Sequence, residues 1–295
     1  MLNKSSKKIL LSLHIVLASI WLGSLISIIL MQLSKQSSFI AINFSVVDKL
    51  IFTFFDSIVM NISIAVAITG LLFSIFTNWG FFKFYWIIIK WFTIFFLAGI
   101  IMFFASPAIN GMAALSDVFR AECVSQPDYL KFEQGTIIYT SLQLFLIVAV
   151  ILLSVFKPWG ARKLKFKVNR KIIIVSGIII AVLLAMSSLV QYSQLVHYRN
   201  LPIVEINLSD IDDGEYIGKA NYGFEYEVKV YVENHKIENI EIIKNRDSFY
   251  ARLAEGITHK IIREQKVNID AVTGATTTSK ILMKAVETAL NSAKE

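Results

Sequence analysis

A cluster of hydroxyl side chains lies near the end of the chain, in the stretch DAVTGATTTSK at residues 270–280. Five hydroxyl residues surround the single glycine Gly274: Thr273, Thr276, Thr277, Thr278 and Ser279. One hydroxyl is enough to cap the first turn of a helix, and a glycine permits a tight backbone turn there. Capping leaves the surplus hydroxyls unexplained, and the alternative is a phosphate site, because a helix N-terminus binds phosphate and a threonine hydroxyl can carry a phosphate ester.

The elements predicted around this stretch form a small α+β domain of about 85 residues, starting near Asp210. Asp213-Gly214 is a turn signal that leads into a strand. Apolar and polar residues then alternate on both sides of Asn234-His235, which predicts an antiparallel hairpin. Residues 248–265 and 279–293 have apolar side chains at helical spacing, so the hydroxyl cluster lies between two predicted helices.

The motif Asp270-Ala271-Val272-Thr273-Gly274-Ala275-Thr276, with the preceding DGEYIG and the hairpin, resembles a known family. It is similar to the FMN-binding domain found in the sodium-translocating NADH:quinone oxidoreductase and in the Rnf electron-transport complex. The resemblance covers about residues 210–292. It implies that FMN is attached through its phosphate to Thr276, by an exported flavin transferase that uses FAD as donor. Thr278 is the second candidate for the modified position.

The resemblance also implies roles for the neighbouring motif residues. Asp270 would orient or deprotonate the Thr276 hydroxyl, or be recognised by the transferase. The backbone at Gly274 and Ala275 would leave room for the phosphate. Thr273 is a further cofactor-binding candidate, and Thr277, Thr278 and Ser279 would donate hydrogen bonds to the phosphate or cap the helix.

Two hairpin features leave alternatives open. Phe224 and Tyr226 either stack on the flavin ring or belong to the core of the domain. Asn234-His235 stands where a glycine is expected, and asparagine tolerates the left-handed backbone that such a turn needs.

The composition of the rest of the chain predicts a membrane protein. Of the 295 residues, 55% are hydrophobic and only 17% are charged. Five apolar stretches are long enough to span a bilayer as helices: about 9–33, 50–76, 84–106, 136–156 and 172–193. We therefore expect a membrane α-helical bundle in residues 1–197 and the α+β domain in residues 198–295.

The charges predict the orientation of this bundle. Residues 1–197 carry 16 Lys/Arg against 6 Asp/Glu, and residues 198–295 carry 13 against 16. Basic residues crowd the N-terminus and the connection 157–171, which places both in the cytoplasm, whereas 34–49 and 107–135 face outward. Five spans then put the C-terminal domain outside the cell membrane. Because that domain is slightly acidic, no nucleic-acid partner is expected.

The sequence offers little evidence for other cofactors. The single cysteine, Cys123, excludes a disulfide framework and any cysteine-rich metal site. His14 could be a haem ligand, because histidines on membrane helices bind haem iron. The only other histidine near a predicted span is His197, which lies beyond the outer end of the fifth predicted span, whereas His14 lies near the cytoplasmic end of the first. We therefore expect His14 to pack or hydrogen-bond, and haem is not expected.

These features lead to one main hypothesis and two alternatives. The main hypothesis is an extracytoplasmic flavoprotein that relays electrons between a membrane donor, quinol or a partner subunit, and an external acceptor. Since no substrate-reducing site is evident, the protein would be a carrier without catalytic residues of its own. The alternatives are a transporter or membrane scaffold whose outer domain binds a ligand or partner without redox chemistry, and a subunit of an ion-pumping complex.

Overall fold

The structure, a computed structural model, describes residues 3–35, 44–77, 79–160 and 195–293. The described residues fall into two compact units. The first unit consists of the described residues within Met1–Ile109 and Leu130–Leu183. The second consists of the described residues within Asn110–Tyr129 and Leu184–Glu295.

Long apolar helices make up the first unit, and two of them, at residues 106–119 and 127–156, continue into the second. Their bounds are α1 Lys4–Ser34, α2 Phe44–Phe54, α3 Met60–Phe76, α4 Tyr85–Ile100, α5 Ser106–Phe119 and α6 Pro127–Phe156. One-turn π-helical segments, Phe55–Val59 and Ile101–Ala105, join α2 to α3 and α4 to α5. In the described part of the chain, four continuous helical stretches are long and apolar enough to cross a membrane: Lys4–Ser34, Phe44–Phe76, Tyr85–Ser125 and Pro127–Phe156.

These four stretches overlap the first four predicted spans, but the third and fourth helices are longer than the apolar runs. The third continues through α5 and a 3₁₀ turn at Arg120–Ser125, and the fourth already starts at Pro127. The segment 107–135, expected as an outward loop, is therefore mostly helical. The small and polar residues of this segment lower its mean hydropathy without preventing helix formation. A hydropathy criterion therefore ends the third helix too early and starts the fourth too late. The predicted fifth span, 172–193, lies outside the described residues.

Polar contacts tie the helices of the first unit together. His14 Nδ1 lies 2.6 Å from Thr69 Oγ1, so this histidine hydrogen-bonds to α3, as we expected from the sequence. At the opposite end of α1, the buried Lys35 ammonium lies 2.8 Å from carboxylate oxygens of both Asp48 and Glu133. A buried lysine requires such partners, because an unpaired charge there costs several kcal/mol.

The second unit contains a three-stranded antiparallel sheet in the order β1-β2-β3. The strands are β1 Gly214–Asn221, β2 Glu225–Glu233 and β3 Lys236–Lys244. On β2, the side chains of Tyr226, Val228, Val230 and Val232 are buried in alternation with partly exposed ones. That alternation is the signature of a strand with one face on a core. The predicted hairpin is confirmed, with Asn234 and His235 as its two-residue turn.

Both turn residues adopt the left-handed backbone, with φ of 53° at Asn234 and 56° at His235. Asp213 compensates for the missing glycine, because its carboxylate accepts the His235 N–H at 3.2 Å. The His235 ring adds a second contact, with Nδ1 2.8 Å from the Ile211 carbonyl oxygen. Hydrogen bonds from the backbone of Asn234 and His235 lower the pKa of Asp213 below its ordinary value.

Three helices follow the sheet: α7 Phe249–Ala254, α8 Ile257–Glu264 and α9 Thr276–Ser292. The sequence predicts one helix over 248–265, whereas the structure breaks it at Glu255–Gly256. The end of α5 packs at this break, where a Cβ on Gly256 would come within 2.5 Å of the Val118 side chain. The apolar face of α9 buries Leu282, Val286 and Leu290 in the same core as the sheet.

Candidate functional site

The hydroxyl motif forms the loop before α9 and that helix's first turn. Thr276 is the first residue of α9, and Ala275 before it has no side chain that can cap the helix. Gly218 on β1 fixes the position of α9, since a Cβ there would overlap the backbone of α9 at Ala285 and Ala289. The strand can therefore approach the helix this closely only with a glycine at that position.

Thr273 is buried, and both of its donors are used within the protein. Its N–H and its hydroxyl donate to the same oxygen of Asp117, Oδ2, at 2.9 and 3.0 Å. Asp117 belongs to α5 and is separated from Thr273 by 156 residues in the chain. The hydroxyl of Thr273, a predicted cofactor-binding residue, is thus already bound to a carboxylate in this structure.

Lys260 on α8 neutralises this carboxylate. Its Nζ lies 3.2 Å from both Asp117 oxygens, and its side chain is only 5% exposed. Among the described residues, Asp117 is the sole hydrogen-bonding partner that this ammonium has. The three groups therefore form one charge-balanced network beneath the motif, in which Thr273 and Lys260 are buried and the Asp117 side chain is 21% exposed.

Gly274 turns the chain with a φ of 79°, a conformation that side chains other than glycine resist. A Cβ on this residue would also lie 2.5 Å from Asn110 Oδ1 on α5. Asn110 and Asp117 are seven residues apart, which places them on one face of α5. The glycine is thus required both by the turn and by the approach of this helix.

Ser279 closes the loop from inside α9. Its fully buried hydroxyl accepts the N–H of Val272 at 3.3 Å and donates to the Ala275 carbonyl at 3.0 Å. Ala275 itself is buried and donates its N–H to the Val272 carbonyl at 3.0 Å. This hydroxyl therefore stabilises the loop, and its role as a phosphate ligand stays a prediction.

The remaining hydroxyls lie at the partly exposed first turn of α9. The hydroxyls of Thr276 and Thr278 make no hydrogen bond to any described residue, and no described side chain caps the helix. Thr277 Oγ1 accepts a long hydrogen bond of 3.4 Å from Nε of Arg199. Free hydroxyls, uncapped N–H groups and a guanidinium together suit an anionic phosphate ester.

The other predicted site residues lie apart from this network. Asp270 is exposed and makes no hydrogen bond to a described residue, so a role in orienting Thr276 stays a prediction. Tyr226 is 2% exposed and belongs to the core, and Phe224 packs against that core with its ring edge-on to Tyr226. Among the described residues, no group of three or more histidine, cysteine or acidic side chains lies close enough to hold a metal ion.

Sequence reasoning missed four residues that build this site: Asn110, Asp117, Arg199 and Lys260. The spacing of Asn110 and Asp117 on one helical face is a readable signal, but it does not identify what that face contacts. Arg199 and Lys260 gave no signal beyond their charge. Their partners lie 78 and 143 residues away along the chain, so only the folded chain reveals these contacts.

Comparison with known protein families agrees with this geometry. Residues 221–291 match the FMN-binding domain family, a range that includes β2, β3, α7, α8, the whole motif and nearly all of α9. The resemblance expected from the sequence is thus confirmed for this segment. Comparisons with curated proteins and with solved structures found no match. The chain therefore has an FMN-binding domain, C-terminal to helices that are apolar enough to span a membrane.

Proposed function

We propose that this protein is a membrane-anchored flavoprotein that carries FMN covalently on Thr276 and relays electrons to or from a partner. The observation that carries the proposal is the Thr276 hydroxyl, which is partly exposed and unbonded within the described chain at the uncapped start of α9. The match to the FMN-binding domain supplies the identity of the ligand. When bound, FMN exchanges one or two electrons, which suits a link between a quinol and an external acceptor.

The residues around Thr276 fit the phosphate of FMN. The N–H groups of the first turn of α9 have no side-chain cap, and the helix dipole favours an anion there. Arg199 adds a positive charge next to Thr277. The turn at Gly274 has no side chain that would obstruct the approach of a phosphate.

Attachment requires a transferase that acts on the exposed hydroxyl. The Thr276 oxygen attacks the FMN phosphorus of FAD, a new P–O bond forms, and the bond from that phosphorus to the oxygen retained by AMP breaks. AMP leaves, and the hydroxyl proton passes to a base of the transferase. Asp270, exposed beside the motif, is available for recognition by that enzyme.

We further propose that the domain lies outside the cell membrane, with the N-terminus in the cytoplasm. Residues Asn110–Tyr129, between the predicted third and fourth spans at 84–106 and 136–156, fold into the same unit as the C-terminal domain. Both segments must then lie on one side of the membrane. The predicted fifth span at 172–193, which lies outside the described residues, would bring the C-terminal domain to the same side as Asn110–Tyr129. The basic connection at 157–171 favours the cytoplasm for the opposite side.

The test of the covalent site compares Thr276→Ala with Thr278→Ala in the full chain. Each is coproduced with a flavin transferase, denatured and separated, and the band is inspected for flavin fluorescence. We expect fluorescence in wild type and Thr278→Ala but none in Thr276→Ala. Fluorescence that persists in Thr276→Ala would refute the assignment. An unmodified Thr276 in the native protein would favour the transporter or scaffold hypothesis.

The orientation is tested with single cysteines. Cys123 is the only cysteine of the chain, so a Cys123→Ala background has no thiol. Lys4→Cys and Asn291→Cys place one thiol at an exposed position near either end. A membrane-impermeant maleimide added to intact cells should label only Asn291→Cys. Labelling of Lys4→Cys alone would reverse the proposed orientation.

A further inference from the structure

The contacts between α5 and the motif assign Asp117 a part in the function proposed above. Its Oδ2 accepts both the N–H and the hydroxyl of Thr273, three residues before the proposed attachment site. Thr273 is 7% exposed, so this double contact fixes the backbone at the base of the loop away from water. The turn at Gly274 and the start of α9 follow directly from that fixed point.

The charge of Asp117 would oppose a phosphate nearby unless it were compensated. Lys260 supplies the compensation at 3.2 Å from both oxygens, with a side chain that is 5% exposed. The Asp117 side chain is 21% exposed, so the pair is only partly solvated and its Coulomb attraction is stronger than in bulk water. The pair therefore provides a strong hydrogen-bond acceptor without adding net negative charge beneath the phosphate site.

The end of α5 is held independently of Asp117. Arg263 donates to the Val118 carbonyl oxygen at 2.6 Å, and Val118 packs against Gly256 in the core. This anchoring means that loss of the Asp117 carboxylate alone leaves α5 docked. The effect of Asp117 on the loop can thus be separated from the docking of its helix.

We propose that Asp117 is a positioning residue for flavin attachment, an inference that rests on the proposed modification of Thr276. It holds Thr273 so that the Thr273–Thr276 turn presents the Thr276 hydroxyl to the incoming phosphorus. The segment that contributes Asp117 lies outside the range that matches the FMN-binding domain. This chain would therefore complete its flavin-attachment loop with a side chain from a helical stretch that is long and apolar enough to span a membrane.

The test measures the initial rate of flavin attachment to the full chain with purified transferase and saturating FAD. Asp117→Ala removes the acceptor for two hydrogen bonds, a loss of about one to two kcal/mol that corresponds to a factor of about 5–30 in rate. That variant also leaves the Lys260 ammonium unpaired, so Asp117→Ala is combined with Lys260→Met. We expect the double variant to stay slow by a similar factor.

The neutral pair Asp117→Asn with Lys260→Met is the rescue variant. The asparagine carbonyl can still accept both Thr273 donors, and the methionine removes the ammonium that would repel the amide. We expect attachment within about twofold of the wild-type rate, because the two hydrogen bonds are retained. A merely electrostatic role would not separate the two double variants in this way, because both lack the Asp117–Lys260 charge pair.

Arg263→Gln is the matched control, since it weakens the anchoring of α5 without touching the motif. It should lose stability while keeping the wild-type attachment rate. The positioning role is refuted if Asp117→Ala with Lys260→Met attaches flavin at the wild-type rate, or if Arg263→Gln slows attachment equally. In those cases Thr276→Ala still fails to attach flavin and the proposed function stands. If wild type itself attaches no flavin, both proposals fail together.

Discussion

Replacing Gly218 by alanine should separate β1 from α9. This glycine is buried in the strand, where it faces the backbone of the helix that begins with Thr276. A Cβ at this position would overlap the Ala285 carbonyl oxygen and the Ala289 nitrogen, and would lie 2.7 Å from Ala289 Cβ. Because two of these neighbours are backbone atoms of a helix, no side-chain rotation can relieve the overlap.

The magnitude follows from the rigidity of the two elements. Overpacking a core typically costs about 1–3 kcal/mol, and contact between two backbones belongs at the upper end of that range. We therefore expect a loss of about 3 kcal/mol in the free energy of unfolding. For a unit of this size, that loss lowers the melting temperature by roughly 10–15 °C.

Cys123 provides the assay. All five tryptophans precede residue 160, so tryptophan fluorescence does not report on the C-terminal domain. Cys123 is the only thiol of the chain, is fully buried, and belongs to the second unit. Heating the purified protein with a thiol-reactive dye that fluoresces on labelling therefore reports the opening of that unit.

Gly214→Ala is the matched control in the same strand. There the nearest atom to a new Cβ is the Tyr216 hydroxyl at 3.2 Å, the far end of a flexible side chain. Both substitutions replace glycine by alanine and therefore alter the unfolded chain alike. The difference between their labelling midpoints thus reports only the overlap of the new Cβ with α9. Equal labelling midpoints for Gly218→Ala and Gly214→Ala would refute the packing that fixes the start of α9.

Two further predictions concern the motif and the hairpin. Gly274→Ala should cost about 1–2 kcal/mol for its left-handed backbone and should also slow flavin attachment, because its Cβ would displace Asn110. Gly223→Ala, where φ is 73° and the nearest atom is 3.9 Å away, should show the same destabilisation by Cys123 labelling but no change in attachment. Because the pKa of Asp213 is lowered, the ionised carboxylate should stabilise the hairpin at pH values above an aspartate's ordinary pKa of about 4. This stabilisation should be lost as the pH falls through the lowered pKa. Amide exchange of residues 225–244 should therefore distinguish wild type from Asp213→Asn at about pH 5 and less so at about pH 3; a difference independent of pH would contradict this assignment.

The elements that the sequence predicted well are those encoded by neighbouring residues. Alternation around Asn234-His235 specifies a hairpin, and the apolar spacing after Ser279 specifies the final helix. The cluster between Thr273 and Ser279 indicated a helix start, although the helix begins three residues earlier than its apolar spacing suggests. In each case the signal lies within a window of about twenty residues, where side-chain periodicity reflects one buried face.

The features that were missed depend on contacts between distant segments. At the break at Glu255–Gly256, Val118 packs against the glycine, and nothing in the local sequence reveals that neighbour. The motif hydroxyls look equivalent in the sequence, yet Thr273 is bound to Asp117 and Ser279 closes the loop. Only the fold distinguishes the two hydroxyls that support the loop from Thr276 and Thr278, which remain partly exposed.

The helix α5 changes what should be regarded as the flavin-binding unit. Ala114 and Val118 belong to the same buried core as the sheet and α9, so a chain that starts at residue 198 would expose the apolar surface they cover. It would also leave both donors of Thr273 without their acceptor. A truncated domain that fails to bind flavin would therefore not test whether Thr276 is the attachment site. The flavin chemistry of this protein has to be measured with α5 present, because part of the loop's geometry is built by that helix.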